Sequence, residues 1–446
     1  MTRTNLHQGL LALALVLTTP LQASAAAVAY DAASLTMPGF SGARAYGINN
    51  DGVIAGAAVF GDANINETHA VVWHQGQGVD LGLGEARAIN LAGHVAGSSQ
   101  DAIGTQYATL WISQQPMLLS PGIAYGINDK DEVVGEAQGS DGRAHPAVWR
   151  QGVLKLLSAQ AGRATAINSS GEIVGYITTT VNGRDVYTAV RWVQDVPTIL
   201  STDAKANGIN DAGVVVGQPT VDYVSGPYYW TADNQAHAAP VSPGANDVTD
   251  VAGLTAINNQ GTVIGFSARE GLVGQITDHF SRLTSYVKYP DRTQYATDWF
   301  QAGPTAINNA GTVLVTNCGV YVNCPSFELQ PVGPVTCTVS GTLGAISSTA
   351  FSSTVLLTNV TDQDLTDWQY VMTLKDPTIV YWTYQTKAKV SEGGTHIAVT
   401  PGSTSPTVAA GTRAAYGLRA AKFPATVPAI TSLSASLGGQ ACLPAN

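Results

Sequence analysis

One short pattern recurs seven times in this chain. An isoleucine and an asparagine are followed by two variable residues and, in six of the seven copies, by a glycine. The asparagines are Asn49, Asn90, Asn128, Asn168, Asn210, Asn258 and Asn308, spaced by 41, 38, 40, 42, 48 and 50 residues. Such a period constrains folding strongly, because each copy must form the same small unit and bury its faces against its neighbours.

Within each copy the pattern predicts a tight turn between two short strands, because asparagine tolerates and glycine prefers positive φ. A second glycine usually follows. Five copies then carry a tryptophan, and the sixth has Phe280 in that place: Trp73, Trp111, Trp149, Trp192 and Trp230. A residue that recurs at one position of a repeat serves packing between units, so we assign these rings to the core.

Four antiparallel strands in about 40 to 45 residues are typical of a β-propeller blade, and seven blades close into a ring. A β-solenoid is the alternative, although its repeats are usually shorter. The segment from Ala33 to Met37 resembles the last strand of a unit but precedes the first turn. We expect it to pair with the seventh unit, which closes the ring and removes an open edge.

The repeat signature, Ile-Asn-x-x-Gly-x-Val-x-Gly, resembles the HAF repeats of predicted extracellular bacterial proteins over roughly residues 43 to 330. His69-Ala70-Val71 and His145-Pro146-Ala147 are the nearest matches to the His-Ala-Phe triplet of that family. The resemblance implies an architecture rather than a chemistry, because the function of the family is poorly defined.

The N-terminus carries a targeting pattern. Arg3 precedes an apolar run from Leu10 to Leu17 and the small residues Ala23-Ser24-Ala25, which predicts a signal peptide over residues 1–25. The run is too short to span a bilayer and no later segment is long enough, so we expect a secreted, extracellular protein. A net charge of −10 argues against nucleic acid or an anionic membrane surface as partner.

Pro331-Val332-Gly333-Pro334 predicts a short, stiff boundary between the propeller (26–333) and a second domain (334–446). Beyond it the period disappears, and alternating apolar residues predict strands between Cys337 and Cys442. With only 12% charged residues and 47 glycines, the chain has an all-β composition throughout. The predicted fold is therefore all-β, a seven-bladed β-propeller followed by an antiparallel β-sandwich.

The C-terminal segment resembles a family 2 carbohydrate-binding module. The matching features are a cysteine at each end, Phe351 before Val355, the Asp367-Trp368 strand, the Trp382 strand and the closing stretch from Leu437 to Cys442. The resemblance implies a Cys337–Cys442 disulfide and a core position for Trp368. It also implies binding of cellulose, xylan or chitin through a row of exposed aromatic rings, because the apolar face of a pyranose stacks on such rings.

Trp382 matches one of the ring positions of that family. Two others hold small polar residues, with Ser347, Ser348 and Thr349 near the first and Ser403 and Thr404 near the second. Tyr381 and Tyr384 flank Trp382 and are the further candidates for sugar contact. A packed core tryptophan is the alternative for Trp382.

Two other groups of residues invite a ligand interpretation. Cys318 and Cys324 flank the short strands of the seventh unit, where a local disulfide is favoured over a metal site in an exported chain. Four cysteines allow three sets of pairings, and only the resemblance selects the set that joins Cys337 to Cys442 and Cys318 to Cys324. Asp129, Asp131 and Glu132 lack the spacing of a calcium loop, so we interpret them as a solvated turn. We expect no metal and no cofactor.

The first functional hypothesis is a non-catalytic, secreted protein that binds polysaccharide through the sandwich. The alternative is a glycoside hydrolase or lyase with its unidentified catalytic residues on the propeller, where loops on a rigid scaffold often carry function. The longest spacings, of 48 and 50 residues, follow the fifth and sixth asparagines, and the second of them holds Asp278, His279, Tyr289, Asp291, Arg292, Tyr295 and Asp298. A second alternative is an adhesion or scaffold protein that binds a protein partner on the propeller face.

Overall fold

The regular elements of the chain are β-strands in mainly antiparallel sheets, which confirms the all-β prediction. The structure, a computed structural model, describes residues 28–60, 67–221, 228–238, 251–267, 271–276, 280–283, 287–288, 302–317, 326–334, 337–347, 350–359, 364–375, 378–384, 386–391, 395–401, 407–409, 413–422, 430–438 and 440–444. The predicted signal peptide lies outside these ranges. In the described part, no helix has the length and apolar character needed to cross a membrane.

The described strands before residue 335 group into seven four-stranded units. The first three units share one continuous sheet: β2 (Gly42–Ile48), β3 (Ile54–Phe60), β4 (Glu67–His74), β5 (Gln77–Ile89), β6 (Val95–Gln100), β7 (Gln106–Ile112), β8 (Gln115–Ile127), β9 (Val133–Gln138), β10 (Ala144–Arg150) and β11 (Val153–Leu156). In this sheet β5 and β8 are long strands that each close one unit and open the next. Gly84, with φ +142°, lies where β5 changes partner, and a Cβ there would meet the Ser98 carbonyl oxygen at 2.0 Å.

The fourth to sixth units are separate sheets: β12 (Gly162–Ile167), β13 (Ile173–Val181), β14 (Arg184–Val193) and β15 (Val196–Thr202); β16 (Ala204–Ile209), β17 (Val215–Pro219), β18 (Tyr228–Trp230) and β19 (Ala236–Ala238); β20 (Val251–Ile257), β21 (Thr262–Ser267), β22 (Gly271–Gln275) and β23 (Phe280–Arg282). The seventh contains β25 (Ala302–Ile307), β26 (Val313–Asn317), β27 (Ser326–Pro334) and β1 (Val28–Leu35), with β24 (Val287–Lys288) beside β1.

The seventh unit takes its last strand from the start of the chain, as predicted. Antiparallel pairing of β1 with β27 joins Leu35 to Ser326 and Ala33 to Glu328. The prediction of a linker at residues 331–334 is wrong, because β27 continues to Pro334. Beyond Leu329, β27 pairs with β1 but no longer with β26. Pro331 and Pro334 are tolerated there because a strand paired on one side needs fewer backbone N–H donors.

Each repeated asparagine organises its own turn. In the sixth unit, Asn258 Oδ1 accepts hydrogen bonds from the backbone N–H groups of Gln260 (3.1 Å) and Thr262 (2.9 Å). The Gly261 N–H donates to the Asn258 carbonyl oxygen at 3.1 Å, and Gly261 has φ +78°. These bonds satisfy the backbone of a tight turn, which explains why asparagine and glycine recur at this spacing.

The same asparagines also join the units to one another. All seven are buried, with 3 to 6% of their surface exposed. Each Nδ2 donates to the carbonyl oxygen of the next repeated asparagine, and the last donates to the first: Asn49 to Asn90 (3.0 Å), Asn90 to Asn128 (3.2 Å), Asn128 to Asn168 (3.3 Å), Asn168 to Asn210 (3.2 Å), Asn210 to Asn258 (3.1 Å), Asn258 to Asn308 (3.0 Å) and Asn308 to Asn49 (3.1 Å). We call this closed set of hydrogen bonds the asparagine ring.

The repeated tryptophans lie in the core, as the repeat predicted, and all five have at most 1% of their surface exposed. Phe280 is also buried, but it does not take the tryptophan position of the sixth unit. It lies on the fourth strand, β23, opposite Gly274, and Gly274 has the register position of the tryptophans. The second repeated glycine has a steric role, because a Cβ on Gly135 would lie 2.1 Å from the carbonyl oxygen of Ile123 on the neighbouring strand. Packing therefore explains why the tryptophan and the second glycine recur in the repeat.

The strands after residue 336 form two five-stranded sheets. The first contains β28 (Cys337–Ser347), β29 (Ala350–Asn359), β31 (Thr378–Tyr384), β34 (Arg413–Lys422) and β37 (Leu443–Pro444), in the order β31-β34-β29-β28-β37. The second contains β30 (Gln369–Leu374), β32 (Thr386–Ser391), β33 (His396–Pro401), β35 (Ile430–Leu437) and β36 (Gln440–Ala441), in the order β32-β33-β30-β35-β36.

Side chains from both of these sheets fill one core, in which Trp368 is 1% exposed and its ring lies 3.8 Å from that of Tyr416. The core position implied for Trp368 is therefore confirmed. The implied disulfide is also present, and it links Cys337 to Cys442 across 105 residues of sequence. Cys318 and Cys324 lie outside the described residues.

We predict that Asn258→Ala lowers the free energy of unfolding by about 2 kcal/mol, because it leaves buried backbone groups of two units without partners. Urea denaturation monitored by tryptophan fluorescence measures the loss. Asn259→Ala is the matched control, because the adjacent Asn259 is exposed and bonds only on the surface, to Asp211 and Asn309. Equal losses in the two variants would contradict a special role for the asparagine ring.

We also predict that the double substitution Cys337→Ala, Cys442→Ala destabilises the C-terminal strands by about 2 to 5 kcal/mol, because the disulfide restricts a long loop of the unfolded chain. Hydrogen exchange followed by mass spectrometry separates the C-terminal peptides from those of the repeats. Protection should fall in residues 337–444 and stay unchanged in 42–238. Unchanged protection in both regions would show that the disulfide adds no stability.

Candidate functional site

The candidate sugar-binding residues lie on β31, at the edge of a sheet whose two faces differ. On the neighbouring strand β34, Tyr416 and Leu418 are buried in the core, while Arg413, Ala415 and Arg419 are exposed. This alternation identifies an inner face against the second sheet and an outer face that is open to solvent. A long polysaccharide can reach this sheet from its outer face, where the described side chains of β34 are exposed.

Backbone register places two of the three candidates on that outer face. Trp382 is paired with Arg419 and Tyr384 with Gly417, and residues directly opposite each other in an antiparallel pair share a face. Tyr381 is an extra residue at a β-bulge, since Val380 is paired with Ala420 and Trp382 with the adjacent Arg419. The side chains of these three aromatic residues lie outside the described part of the structure.

The outer face continues across the sheet with small polar residues. Ser352 is paired with Arg419, while Thr354 is paired with Gly417 on one side and with Thr342 on the other. The exposed guanidinium of Arg419 and these hydroxyls are donors and acceptors of the kind that sugar hydroxyls require. We call Trp382, Tyr384, Arg419, Ser352, Thr354 and Thr342 the outer-face site.

The sequence prediction found only the aromatic part of the outer-face site. Arg419, Ser352, Thr354 and Thr342 were missed, although the alternation in β34 of exposed Arg413 and Arg419 with buried Tyr416 and Leu418 carries the signal. The alternation of residues within one strand does not show which strand pairs with β31, because that pairing joins parts of the chain that are far apart in sequence. The positions where the family has further rings, at Ser348, Thr349, Ser403 and Thr404, lie outside the described residues.

The acidic group in the third turn is a structural contact rather than a ligand site. Asp131 Oδ1 accepts from Asn90 Nδ2 and lies beside His94 Nδ1, both at 2.8 Å, and Asp129 Oδ1 accepts from the Leu91 N–H. Thus the carboxylates bind the preceding unit, and the predicted solvated turn is wrong in that respect. Nowhere in the described ranges do three His, Cys, Asp or Glu side chains form a group able to hold a metal ion.

Glu132, in the same turn, is also used within the protein. Its carboxylate accepts hydrogen bonds from Asn128 Nδ2 (2.7 Å) and Arg150 Nε (2.6 Å). Burial raises the pKa of Glu132, but these hydrogen bonds outweigh burial and hold the pKa below its usual value. Arg150 continues to Asp195 of the fourth unit with two bonds of 2.9 Å, so this carboxylate supports contact between units.

The insert residues considered for catalysis, Asp278, His279, Tyr289, Asp291, Arg292, Tyr295 and Asp298, all lie outside the described residues. His69 and His145, next to the repeat tryptophans, are 2.8 Å from the carboxylates of Asp80 and Asp141. Each of these pairs lies within a single unit, so they hold strands and turns together.

No protein-family model and no curated protein matches the chain. Among solved structures, it shows a likeness to the chitin-binding domain of Chi18aC from Streptomyces coelicolor (18% identity, 22% of this chain and 90% of that chain, TM-score 0.19). It also shows a likeness to the chitin-binding domain of a hyperthermophilic chitinase from Pyrococcus furiosus (19% identity, 25% of this chain and 96% of that chain, TM-score 0.20). A third similar structure is the chitinase ChiA74 from Bacillus thuringiensis (9% identity, 52% of this chain and 28% of that chain, TM-score 0.18). At these scores the likenesses assign neither family nor function.

The register on β31 predicts that Trp382 reacts with N-bromosuccinimide before Trp368, because residues on the outer face meet solvent and Trp368 is in the core. Peptide mass mapping after limited oxidation measures the order of modification. The five repeat tryptophans, which are buried, serve as internal controls. Oxidation of Trp382 no faster than that of Trp368 would place Trp382 in the interior.

Proposed function

We propose that this chain is an exported polysaccharide-binding protein, and that the outer-face site binds the sugar chain. The proposal rests on one observation, the register that puts Trp382 and Tyr384 two residues apart on the solvent face of an edge strand, next to exposed Arg419. Cellulose, xylan and chitin are the candidate ligands. Export remains an expectation from the N-terminal sequence.

Stacking supplies the affinity in this proposal. A pyranose ring has an apolar face of C–H groups, and placing it on an aromatic side chain removes apolar surface of both from water. The hydroxyls at the rim of the sugar then meet Arg419, Ser352 and Thr354. Arg419 and Ser352 continue the cross-strand row of Trp382, and Thr354 lies in the adjacent row, which contains Tyr384. Polar groups of this kind fix orientation more than they add affinity.

The short aromatic set limits which polysaccharide forms suit the site. Two candidate rings on one strand cover about 7 Å at the usual rise per residue, which is less than two sugar units. A flat crystalline surface needs several rings in a row to offset the cost of ordering, whereas a single hydrated chain can also use its exposed hydroxyls. We therefore propose a preference for separated chains over crystalline cellulose.

For the repeats (26–333) we propose a seven-bladed β-propeller, and for residues 334–446 a separate sandwich domain. The closed asparagine ring and the pairing of β1 with β27 support the propeller, because both connect the seventh unit to the first. Separate hydrophobic cores on either side of residue 335 support the division into two domains.

We predict that Trp382→Ala weakens binding to soluble xylan or hydroxyethyl cellulose at least tenfold, equivalent to about 1.4 kcal/mol. Affinity electrophoresis measures the change, with Lys389→Ala as matched control because Lys389 is exposed on the other sheet. Trp382→Phe should keep most of the affinity. Unaltered binding by Trp382→Ala would remove the outer-face site from the proposal.

A further inference from the structure

A row of tyrosine rings and cationic side chains crosses the first five units, with five members on the first strands of these units and two on β13 and β14 of the fourth unit. It consists of Tyr46, Arg87, Tyr125, Arg163, Tyr176, Lys205 and Tyr187, and we call it the Tyr–cation row. Most members stand three or five residues before a ring asparagine, so they lie roughly 10 to 17 Å along the strands from the asparagine ring. The side chains of the row are all half-buried.

Stacking connects the members of the row across unit boundaries. The guanidinium carbon of Arg87 lies 5.1 Å from the ring centres of both Tyr46 and Tyr125, and that of Arg163 lies 4.0 Å from Tyr125. Tyr46, Arg87 and Tyr125 are the extra residues at β-bulges of their strands, a feature that turns a side chain out of the regular pleat. Arg87 of the second unit therefore contacts a tyrosine ring of the first unit and one of the third.

Lys205 differs from the arginines of the row in its ionic partners. Arg87 forms a salt bridge with Glu85, and Arg163 forms one with Glu136 at 2.8 Å. The Lys205 ammonium lies on the rings of Tyr187 (3.9 Å) and Tyr176 (4.9 Å), and no described carboxylate is within ion-pair distance of it. Burial and the nearby Arg163 lower the pKa of Lys205.

The balance of charge at the row favours an anion. Among the described side chains, the charged groups that act on Tyr46, Tyr125 and Tyr176 are Arg44, Arg87 and Arg163 against Glu85 and Glu136. Lys205 adds a fourth cation, in a chain whose net charge is −10. Burial raises the pKa of Tyr125 to about 12 and also raises the pKa of Tyr46 and of Tyr176, so these three rings stay neutral. A half-buried ammonium that lies on ring faces and beside another cation gains free energy when an anion takes the place of its lost hydration.

Space for a ligand lies beside the seventh unit. The residues corresponding to Arg163 and Lys205 in the sixth and seventh units are Gly253 and Gly303. A Cβ added at Gly253 would lie 2.9 Å from the Phe266 ring and 3.0 Å from the Gln218 side chain, so the sixth unit is filled at that level. A Cβ added at Gly303 would meet no atom within 4 Å. The row is therefore one-sided, with charge and rings on the first five units and room beside the seventh.

We propose that the Tyr–cation row binds an acidic saccharide, with a uronate carboxylate on the Lys205 ammonium and a sugar ring against the tyrosines. Tyrosine faces suit the apolar side of a pyranose, and the ammonium and guanidinium groups suit its carboxylate. This site is separate from the outer-face site and does not depend on sugar binding there.

Isothermal titration calorimetry of the full-length chain with hexagalacturonate tests the proposal. Lys205→Met keeps an apolar stem on the tyrosine rings but removes the charge, so binding should weaken at least tenfold while the melting temperature changes little. Lys205→Arg should bind within threefold of the unaltered protein. If Lys205→Met does not fold, Lys205→Gln takes its place. Lys389→Met is the matched control, because Lys389 is exposed on the other domain's second sheet, and it should bind hexagalacturonate normally.

Three results would overturn the proposal. The first is no binding of hexagalacturonate to the unaltered protein at millimolar concentration, and the second is equal binding by Lys205→Met. The third is inorganic phosphate that competes as strongly as the saccharide, which would leave a simple anion site. Neutral cellohexaose should bind normally in Lys205→Met and weakly in Trp382→Ala, so failure of one site is distinguishable from failure of the other.

Discussion

The asparagine ring is the interaction on which the repeat part depends. Each ring asparagine is buried, and its side chain satisfies one or two N–H groups of its own turn and one carbonyl oxygen of the next unit. A buried amide without partners costs roughly 1 to 3 kcal/mol, so no unit is fully satisfied until its neighbour is in place. Because Asn308 donates to Asn49, that requirement is met for all seven units only when the first and last meet.

Much of this architecture was predictable because the same local requirements of turn and core position recur in seven copies of the repeat. The turn needs asparagine and a residue that accepts positive φ, and where Asp131 replaces glycine it still has φ +58°. The tryptophans and the strand before the first turn were also correctly placed. The linker at 331–334 was predicted wrongly, since two prolines suggest a break, whereas the strand there needs donors on one side only.

The sites were less predictable than the fold, because each depends on residues that meet across strands or units. Arg419 becomes part of the outer-face site only through its pairing with Trp382. Likewise, Arg191 appears in sequence as one charged residue beside a repeat tryptophan. In the structure it is 2% exposed and joins Glu172 to the Gly213 carbonyl oxygen in the next unit. The Tyr–cation row follows the same logic, because its members belong to different repeats and no repeat position is always aromatic or always cationic.

The central claim is that the sandwich binds a polysaccharide without cleaving it. The most direct measurement is a depletion isotherm of the mature protein on insoluble xylan, chitin and regenerated cellulose, with reducing ends assayed in the same tubes. The account predicts saturable retention on at least one of them, with no increase in reducing ends over a protein-free control. Absence of retention on all three would contradict polysaccharide binding, and retention with release of sugar would contradict a purely binding role.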